Sequence, residues 1–375
     1  MISKRVKRIE LSGIRKLFEM ADADTINMGI GQPDFQPPEG AIKAYHKAMK
    51  DGHNGYGSTY GLKELREEIA EEYSKYKPGL TKDNVLIHVG ATQAFKVLTE
   101  SLIEDGDEVL YPEPGFVLYA SQVELAGGES VPYHLKQKHG FIPQIEELEK
   151  RRTSKTKAMI VNSPSNPTGS LIPKKDVKKI YDWAEEHDIV IFSDEVYEKL
   201  VYNGKHESFL GDYDNVVMAN SFSKTFAMTG WRIGFMITRK DWAEELGKVN
   251  YYNIACPPTP TQEAALYALK NEKDFLEEMV ETFRHRRDVV VDRLNSIPEF
   301  DCLKPDGAFY VFPSFDLDIS SKDLARELLD NDVLTTPGTA FGSAGKGHLR
   351  LSYANSVENI EKAMDIIEEV VEDLR

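Results

Sequence analysis

The sequence predicts an α/β fold, in which a mainly parallel, doubly wound sheet forms a large domain and a smaller α+β domain accompanies it. In the middle of the chain, short apolar runs alternate with amphipathic helical patterns, as in strands joined by crossover helices. Beyond residue 274, a long helical pattern precedes a few short strand-like segments and a closing helix. The chain of 375 residues also exceeds the roughly 250–300 residues at which one hydrophobic core stops growing.

The elements follow from residue periodicity, and the domain boundaries follow from the elements. Leu65, Ile69 and Tyr73, for example, share one stripe of a helical pattern. Helices are predicted at residues 61–76, 91–103, 116–125, 174–187, 274–296 and 357–374. Strands are predicted at residues 85–89, 108–111, 157–162, 189–192, 216–219, 308–313, 335–336 and 348–352. We therefore expect a large domain at 40–285, with an N-terminal arm and small domain at 1–39 plus 286–375.

Composition and charge exclude several kinds of partner. The chain has 62 acidic and 46 basic side chains, a net charge of −16, and no basic stripe that would attract a nucleic acid. No apolar run approaches the roughly 18 residues of a membrane-spanning helix. Cys256 and Cys302 lie far apart and outside any metal-ligand spacing. This cysteine usage predicts a reduced, cytoplasmic protein with neither a structural disulfide nor a metal site.

Residues 221–234, SFSKTFAMTGWRIG, are the most informative stretch of the chain. They place Lys224 between two serines and a threonine, and Arg232 follows. Hydroxyl groups and an arginine are suited to holding a phosphate dianion, and a lysine amine can form a Schiff base with an aldehyde. Together these groups indicate pyridoxal phosphate, a cofactor that carries both an aldehyde and a phosphate. An isolated S-x-S-K tetrapeptide is more often a solvated loop, so the interpretation depends on the other motifs.

Polar motifs follow two predicted strands at the edge where doubly wound sheets bind ligands. Strand 157–162 runs into NSPSNPTG, in which prolines on either side of Asn166 fix a turn that presents its amide. Strand 189–192 runs into SDEVYEKL. There Asp194 could keep a pyridine nitrogen protonated, and Tyr197 could meet a phenolic oxygen. An Asp-Glu pair at a strand end could instead bind a metal or cap a helix.

Three further candidates have weaker support from the residues alone. Strand 85–89 runs into GATQ and a helix, so that the backbone N–H groups near Ala91 and Thr92 would form an anion site. Phe116 follows a Pro-Glu-Pro-Gly turn and could stack on a flat ring, although a lone aromatic residue is more often in the core. Arg350 alternates with apolar residues in LRLSYA, and its spacing leaves its role open.

The motifs form an ordered series that covers nearly the whole chain: GIGQPDF, YGSTYGLKELR, HVGATQA, NSPSNPTG, SDEVYE, SFSKTFAMTGWRIG, DGAFYVF, TPGTAFG and LRLSYA. This series resembles the class I pyridoxal-phosphate-dependent aminotransferases of fold type I. In particular, it is similar to the aspartate/aromatic branch that is common in archaea and thermophilic bacteria. The resemblance implies a fold type I architecture and an aminotransferase activity.

The resemblance also implies roles on the cofactor side. Lys224 would form the Schiff base and move the proton between the substrate Cα and the cofactor C4′. Asp194 would pair with the pyridinium nitrogen, Tyr197 and Asn166 would bind the phenolic oxygen, and Phe116 would stack on the ring. The phosphate would be held by the backbone of Ala91 and Thr92, by Ser221, Ser223 and Arg232, and by Tyr56 of a neighbouring subunit. A site completed by Tyr56 from a second copy implies a homodimer.

On the substrate side, the resemblance implies that Arg350 grips the α-carboxylate, helped by Asn166 and the Gly31 backbone. The predicted reaction moves an amino group from an L-amino acid, with aspartate favoured, to 2-oxoglutarate. The sequence shows no assured counterpart of the second arginine that many aspartate-specific members use, and Thr92 stands where some bacterial relatives have a lysine. Arg15 is a candidate for the distal carboxylate. An aromatic or broad donor range stays open, as does, less favoured, a C–S lyase of the same fold.

Overall fold

The structure, a computed structural model, describes residues 2–9 and 24–375, so Arg15 lies outside the described residues. The strands are β1 (Ile26–Asn27), β2 (Val85–His88), β3 (Glu108–Glu113), β4 (Glu129–His134), β5 (Thr156–Asn162), β6 (Val190–Asp194), β7 (Val216–Ser221), β8 (Gly234–Ile237), β9 (Phe300–Asp301), β10 (Tyr310–Val311), β11 (Ser314–Phe315), β12 (Val333–Leu334), β13 (Thr336–Pro337) and β14 (Leu349–Ser352).

The α-helices of the described residues cover the strands and connect them. They are α1 (Lys4–Arg8), α2 (Glu39–Lys50), α3 (Lys63–Tyr73), α4 (Gly90–Leu102), α5 (Leu118–Ala126), α6 (Ile145–Arg151), α7 (Lys174–Glu186), α8 (Phe222–Thr225), α9 (Lys240–Ile254), α10 (Thr259–Asn271), α11 (Lys273–Ser296), α12 (Ser321–Asp330) and α13 (Val357–Asp373). Among residues 2–9 and 24–375, no helix combines the length and apolar composition needed to cross a bilayer.

The central sheet has seven strands in the order β2-β8-β7-β6-β5-β3-β4. All neighbouring strands are parallel except at β8, which runs antiparallel to both β2 and β7. This topology confirms the predicted mainly parallel, doubly wound sheet. Parallel strands can be joined only by crossover segments, and two of these contain the predicted helices, α5 between β3 and β4 and α7 between β5 and β6.

The central sheet is buried on both faces, and β5 shows why its sequence is almost wholly apolar. Met159 and Val161 pack into the core on one side, with Ile180 and Trp183 of α7. The alternate residues, Ala158 and Ile160, pack into a different core on the other side, with residues of α4. Because side chains alternate along a strand, a strand covered on both faces needs apolar residues at every position.

The C-terminal part has short strands and its own core. Strands β10, β14 and β13 form one antiparallel sheet, while β9 pairs with β11. Helices α11 and α13 pack on these strands through residues such as Phe283 and Ile367. Strand β1 pairs in parallel with β12, which brings the segment after residue 27 to the C-terminal part although it comes from the other end of the chain. The division at 40–285 and at 1–39 plus 286–375 stays a prediction.

Most predicted elements agree with the structure, and the differences have physical causes. The elements that were not predicted from the sequence include strands β1, β4, β8, β9 and β11 and helices α2, α6, α8, α9, α10 and α12. The predicted strand 308–313 is limited to β10, because Ala308 has a φ of 59° and breaks the extended backbone. The predicted strand 335–336 is replaced by β12 and β13 on either side of Thr335. Strand β6 runs two residues further than predicted, so that Asp194 is its last residue.

Candidate active site

A cavity of about 550 Å³ lies at the carboxyl ends of β5, β6 and β7. The last residues of these strands, Asn162, Asp194 and Ser221, all line it. Parallel strands end at the same edge of a sheet, and Asn162 is paired with Asp194 in the register of β5 and β6. Twelve of the thirteen predicted site residues line this cavity: Gly31, Ala91, Thr92, Phe116, Asn166, Asp194, Tyr197, Ser221, Ser223, Lys224, Arg232 and Arg350.

Lys224 lies in the short helix α8, which Ser221 caps by accepting a hydrogen bond from the Ser223 N–H at 3.0 Å. Its side chain is half-buried, and Nζ donates to the carbonyl oxygen of Gly31 at 2.6 Å. Burial lowers the pKa of Lys224 to about 8; Arg350 and Arg232 act in the same direction, while Asp194 opposes them. A lysine with this pKa has an appreciable neutral fraction near neutral pH, which is the form that acts as a nucleophile.

Asp194 is buried, and its carboxylate has two donors within the chain. The Tyr119 hydroxyl donates to Oδ2 at 2.8 Å, and the Val196 N–H donates to Oδ1 at 3.3 Å. Burial raises the pKa of Asp194 to about 6, against the hydrogen bonds from Tyr119 and Val196, which lower it. The carboxylate is therefore mostly ionised at neutral pH and can neutralise a cation in the cavity.

The neighbouring carboxylate, Glu195, does not line the cavity. It is fully buried, accepts hydrogen bonds from Ser193 Oγ and the Phe209 N–H, both at 2.8 Å, and lies 2.7 Å from Nε2 of His206. Burial would lower the pKa of His206, but the Glu195 carboxylate more than offsets it, so the pKa is raised. Glu195 thus has a counter-ion of its own, and the two adjacent acids serve different sides of the strand end.

Asn166 and Arg350 form a direct contact in the lining of the cavity. The Asn166 N–H donates to Oδ1 of Asn162 at 2.8 Å, and Nδ2 of Asn162 donates to the Asp194 carbonyl at 3.0 Å. These bonds hold Asn166 beside the strand ends, where its Oδ1 accepts from Nη1 of Arg350 at 3.1 Å. Arg350 also donates from Nη2 to the carbonyl oxygen of Gly29.

Arg350 is a buried cation without a carboxylate partner among the described residues. Its side chain is 3 % exposed, no carboxylate of residues 2–9 and 24–375 forms an ion pair with it, and its Nε–H has no acceptor. An unpaired charge is costly to bury, and buried donors are normally satisfied. The site therefore fits an anionic group from outside the chain, such as a carboxylate.

One end of the cavity has the chemistry of an anion cradle. Helix α4 begins at Gly90, where its first N–H groups have no partner within the helix. Gly90 has a φ of +75°, and a Cβ there would come 2.5 Å from Nη2 of Arg232. Ser221 Oγ lies 2.7 Å from Ser223 Oγ and donates to the carbonyl oxygen of Ile233, the residue after Arg232, at 3.1 Å. Backbone donors, two hydroxyls and a guanidinium thus line the same end of one cavity.

The charge of the cavity contrasts with that of the chain. Among the described residues, its lining includes one carboxylate, Asp194, and three cations, Lys224, Arg232 and Arg350. The chain as a whole carries −16. A positively charged cavity in an acidic protein favours anionic ligands.

Comparison with known proteins assigns the chain to a family. The family described as "Aminotransferase class I and II" matches residues 23–367. The chain belongs to this family. The aspartate aminotransferase of Pyrococcus abyssi is 43% identical, with 99% of this chain and 98% of that protein covered. The aromatic-amino-acid aminotransferase 2 of Thermococcus litoralis is 41% identical, with 99% of this chain and 98% of that protein covered.

A solved structure supports the same assignment. An aspartate aminotransferase double mutant from Thermus thermophilus superposes with a TM-score of 0.94 at 34% identity, covering 99% of each chain. The resemblance in the sequence and the predicted enzyme class are therefore confirmed. The protein is an aminotransferase of this family, and its large sheet is the fold type I sheet.

Ten of the residues that line this aminotransferase cavity were not predicted as site residues, among them Asn162, Tyr119 and Tyr310. Tyr119 lies three residues after Phe116, and the two rings meet edge to face at 6.0 Å, so the spacing within the predicted helix 116–125 was an available signal. Tyr310 lay within a predicted strand, and its hydroxyl lies 2.9 Å from that of Tyr197. Nothing in its strand pattern separates it from an ordinary core tyrosine. Tyr56 is the predicted residue that does not line the cavity, and it is 94% exposed.

Proposed function

We propose that the protein is a pyridoxal-phosphate-dependent aminotransferase that moves an amino group from an L-amino acid, with aspartate as the favoured donor, to 2-oxoglutarate. The observation that carries this proposal is the position of Lys224. Its amine has a lowered pKa and lies in a cavity that also contains a buried carboxylate, an anion cradle and an unpaired buried arginine. These are the groups that a phosphorylated aldehyde cofactor and an amino acid require.

The residues fit the proposed cofactor. The start of α4 with Ala91 and Thr92, together with Ser221, Ser223 and Arg232, would hold the phosphate. The space at Gly90 that a Cβ would fill supports this assignment. When bound, pyridoxal phosphate supplies a ring that withdraws electrons from the amino acid Cα. Asp194 would hold a proton on the ring nitrogen, Tyr197 and Asn166 would donate to the ring oxygen, and Phe116 would cover a ring face.

The remaining steps belong to two side chains. Arg350 would bind the α-carboxylate of the substrate, with Asn166 and the Gly31 backbone beside it, and so fix the orientation of Cα. Lys224 Nζ would then remove the proton from Cα and deliver it to the cofactor C4′. The hydrogen bond from Nζ to the Gly31 carbonyl supports this role, because it places the amine next to the segment that borders the substrate.

The choice of donor depends on what meets the substrate side chain. Among the described residues, every cation in the lining already has a proposed role, and Ile30 and Leu118 add apolar surface. These observations favour an aromatic or broad donor range as a second candidate. A dicarboxylate would need Arg15, which lies outside the described residues, or a group from a partner subunit.

A homodimer and a cytoplasmic location are part of the proposal. Tyr56 is exposed and does not reach the cavity of its own chain, which supports a role for it at the phosphate of a neighbouring copy. Tyr252, also highly exposed, adds aromatic surface of the kind that interfaces cover. Cys256 and Cys302 are free thiols, which supports a reducing compartment. Sedimentation velocity tests the dimer, and a monomer that retains full activity would contradict it.

Lys224→Ala tests the cofactor and the role of the lysine. The wild-type protein should show a visible absorbance band with pyridoxal phosphate, and borohydride should fix the cofactor to Lys224 in a form that mass spectrometry detects. The alanine variant should lose this attachment and at least about 10⁴-fold in turnover, because it lacks both the nucleophile and the base. Lys199→Ala, at a lysine outside the cavity, is the control for attachment. Near-normal turnover of Lys224→Ala would overturn the mechanism.

A donor panel against 2-oxoglutarate tests the substrate: aspartate, glutamate, tyrosine, phenylalanine, alanine and cysteine sulfinate. Aspartate should give the highest kcat/KM. Higher values for tyrosine and phenylalanine would instead support the aromatic candidate. Pyruvate and ammonia formed from cysteine-type substrates without any oxo-acid acceptor would identify a C–S lyase and overturn the proposed reaction.

A further inference from the structure

Tyr310 lies at a junction of the cavity where groups from distant parts of the chain meet. It is fully buried and belongs to β10, which pairs with β14, the strand of Arg350. The Arg350 guanidinium lies over its ring, with 4.6 Å between the guanidinium carbon and the ring centroid. The ring of Phe341 lies 4.8 Å from the same guanidinium carbon. Two aromatic faces therefore restrict the orientation of a guanidinium that has no carboxylate partner among the described residues.

The hydroxyl of Tyr310 makes a different contact. It lies 2.9 Å from the hydroxyl of Tyr197, and both tyrosines are buried. A Cβ on Gly31 would come 2.4 Å from the Tyr310 hydroxyl, so this hydroxyl also rests against the segment whose carbonyl accepts from Lys224. Tyr310 therefore contacts a residue on each side of the proposed site. Its ring contacts Arg350, the proposed substrate-binding residue, and its hydroxyl contacts Tyr197, the proposed cofactor-binding residue.

The number of protons on the two hydroxyls limits the direction of the hydrogen bond between Tyr197 and Tyr310. A phenol has one proton to donate, so only one hydroxyl of the pair can donate to the other. If Tyr197 donates to an oxygen in the cavity, its own oxygen must accept the proton of Tyr310. Burial raises the pKa of Tyr197 and of Tyr310, so both hydroxyls keep their protons at neutral pH.

We propose that Tyr310 is a positioning residue with two separable actions: its hydroxyl directs the Tyr197 proton toward the ring oxygen of the cofactor, and its ring orients Arg350 for the α-carboxylate of the substrate. This inference rests on the proposed function. In this proposal, one side chain sets the position of the cofactor relative to the substrate. The two groups that it orients, the Tyr197 hydroxyl and the Arg350 guanidinium, form no hydrogen bond with each other among the described residues.

Three variants separate the two actions. Tyr310→Phe removes the hydroxyl and keeps the ring, Phe341→Leu removes an aromatic face from Arg350 and leaves the hydroxyl pair intact, and Tyr310→Leu removes both contacts of Tyr310. The readouts are the pH titration of the visible band of the protein with bound pyridoxal phosphate and no substrate, and the KM and kcat for the donor that the wild type uses best.

Tyr310→Phe should raise the pKa of the bound chromophore by about one unit, with little change in KM. Tyr197 would no longer accept the proton of Tyr310 and would become a weaker and less well oriented donor to the ring oxygen. Phe341→Leu should leave that pKa unchanged and raise KM about fivefold. Tyr310→Leu should show both effects. Melting temperatures of the cofactor-free variants report any general loss of structure. Such a loss would not change the chromophore pKa in one variant and KM in another.

A chromophore pKa in Tyr310→Phe equal to that of the wild type would overturn the inference for the hydroxyl. An unchanged KM in Tyr310→Leu would overturn it for the ring. Either result would leave the proposed function intact as long as the wild type binds pyridoxal phosphate and transfers amino groups. A wild-type protein without a cofactor band would instead contradict the proposed function itself.

Discussion

Two walls of the cavity are built in different ways. The sheet wall consists of residues that follow three neighbouring parallel strands, namely Asn166, Asp194, Tyr197, Ser221 and Lys224. The C-terminal wall consists of residues 29–32, Tyr310 and Arg350, which come from both ends of the chain. The sheet wall comes from one continuous region, residues 166–224, whereas the bond from Arg350 to Gly29 joins residues 321 positions apart.

The two walls also differ in how their charges are satisfied. Asp194 of the sheet wall receives hydrogen bonds from Tyr119 and Val196. Arg350 of the C-terminal wall has no carboxylate partner among the described residues and one unsatisfied N–H. The charge of Asp194 is therefore satisfied by donors within the chain, while Arg350 still lacks an anionic partner among the described residues. This difference suggests that changes in the sheet wall alter chemistry and changes in the C-terminal wall alter substrate affinity.

After the loss expected for Lys224→Ala, Asp194→Asn should give the next largest effect, and it tests the sheet wall. The amide has no negative charge to hold a proton on the cofactor nitrogen, so kcat should fall by about 10²–10³-fold. Steady-state kinetics at saturating donor would measure this. Glu195→Gln changes the adjacent carboxylate, which lies outside the cavity, and should lower the melting temperature while kcat stays near the wild-type value. Equal losses of kcat in the two variants would break the distinction between them.

Arg350→Lys tests the C-terminal wall. Lysine keeps the charge but loses the planar fork that can bind a carboxylate through two N–H groups, so kcat/KM should fall about 10²-fold, mainly through KM. Arg286→Lys is a matched control, because Arg286 pairs with Asp34 at 2.7 Å and does not line the cavity. A loss confined to kcat would assign Arg350 to the chemistry instead and remove the contrast between the walls.

Lys224→Met should stabilise the cofactor-free protein at pH 7, by on the order of 1–3 kcal/mol. The pKa of Lys224 is lowered from 10.5 to about 8, so the folded state disfavours the ammonium form. This penalty is fully present below pH 8 and disappears as the pH rises from about 8 to 10.5, above which the lysine is neutral in both states. Chemical denaturation should show that the free energies of unfolding of Lys224→Met and the wild type differ at pH 7, and that the difference is smaller at high pH.

The exposed Lys43 provides the control for that measurement, because its side chain is 73% exposed. Lys43→Met should leave the stability nearly unchanged at both pH values. A destabilised Lys224→Met protein at pH 7 would show that the hydrogen bond to Gly31 outweighs the desolvation of the amine.

Tyr119→Phe should give the smallest effect and sharpens the account of the sheet wall. Loss of the donor to Asp194 should raise the pKa of that carboxylate further above its ordinary value and shift the acidic limb of the kcat profile upward by about one pH unit or less. Tyr133→Phe removes another buried hydroxyl, which donates to the Ile160 carbonyl at 2.8 Å outside the cavity. The control should change stability without moving the profile, and a shift in both variants would refute the assignment.

The sheet wall was largely predictable because the strand ends and their motifs are local features. Asn166, Asp194 and Lys224 each follow a recognisable apolar strand, and parallel strands bring such ends together. The role of Arg350 came only from the family resemblance, since its strand pattern is that of many arginines. Tyr310 was missed because a buried tyrosine in an apolar strand gives no signal of what its hydroxyl will meet, whereas the spacing of Tyr119 from Phe116 was a signal that the prediction did not use.

The sequence by itself determined the alternating α/β architecture and the residues at the strand ends, because hydrophobic periodicity and turn-forming motifs act over a few residues. Only the tertiary structure decided that Gly29, Tyr310 and Arg350 lie together, since strand pairing and packing join segments that no local pattern relates. It also decided the protonation chemistry of Lys224 and Asp194. Their pKa values depend on burial and on charges brought near by the fold, and neither is visible along the chain.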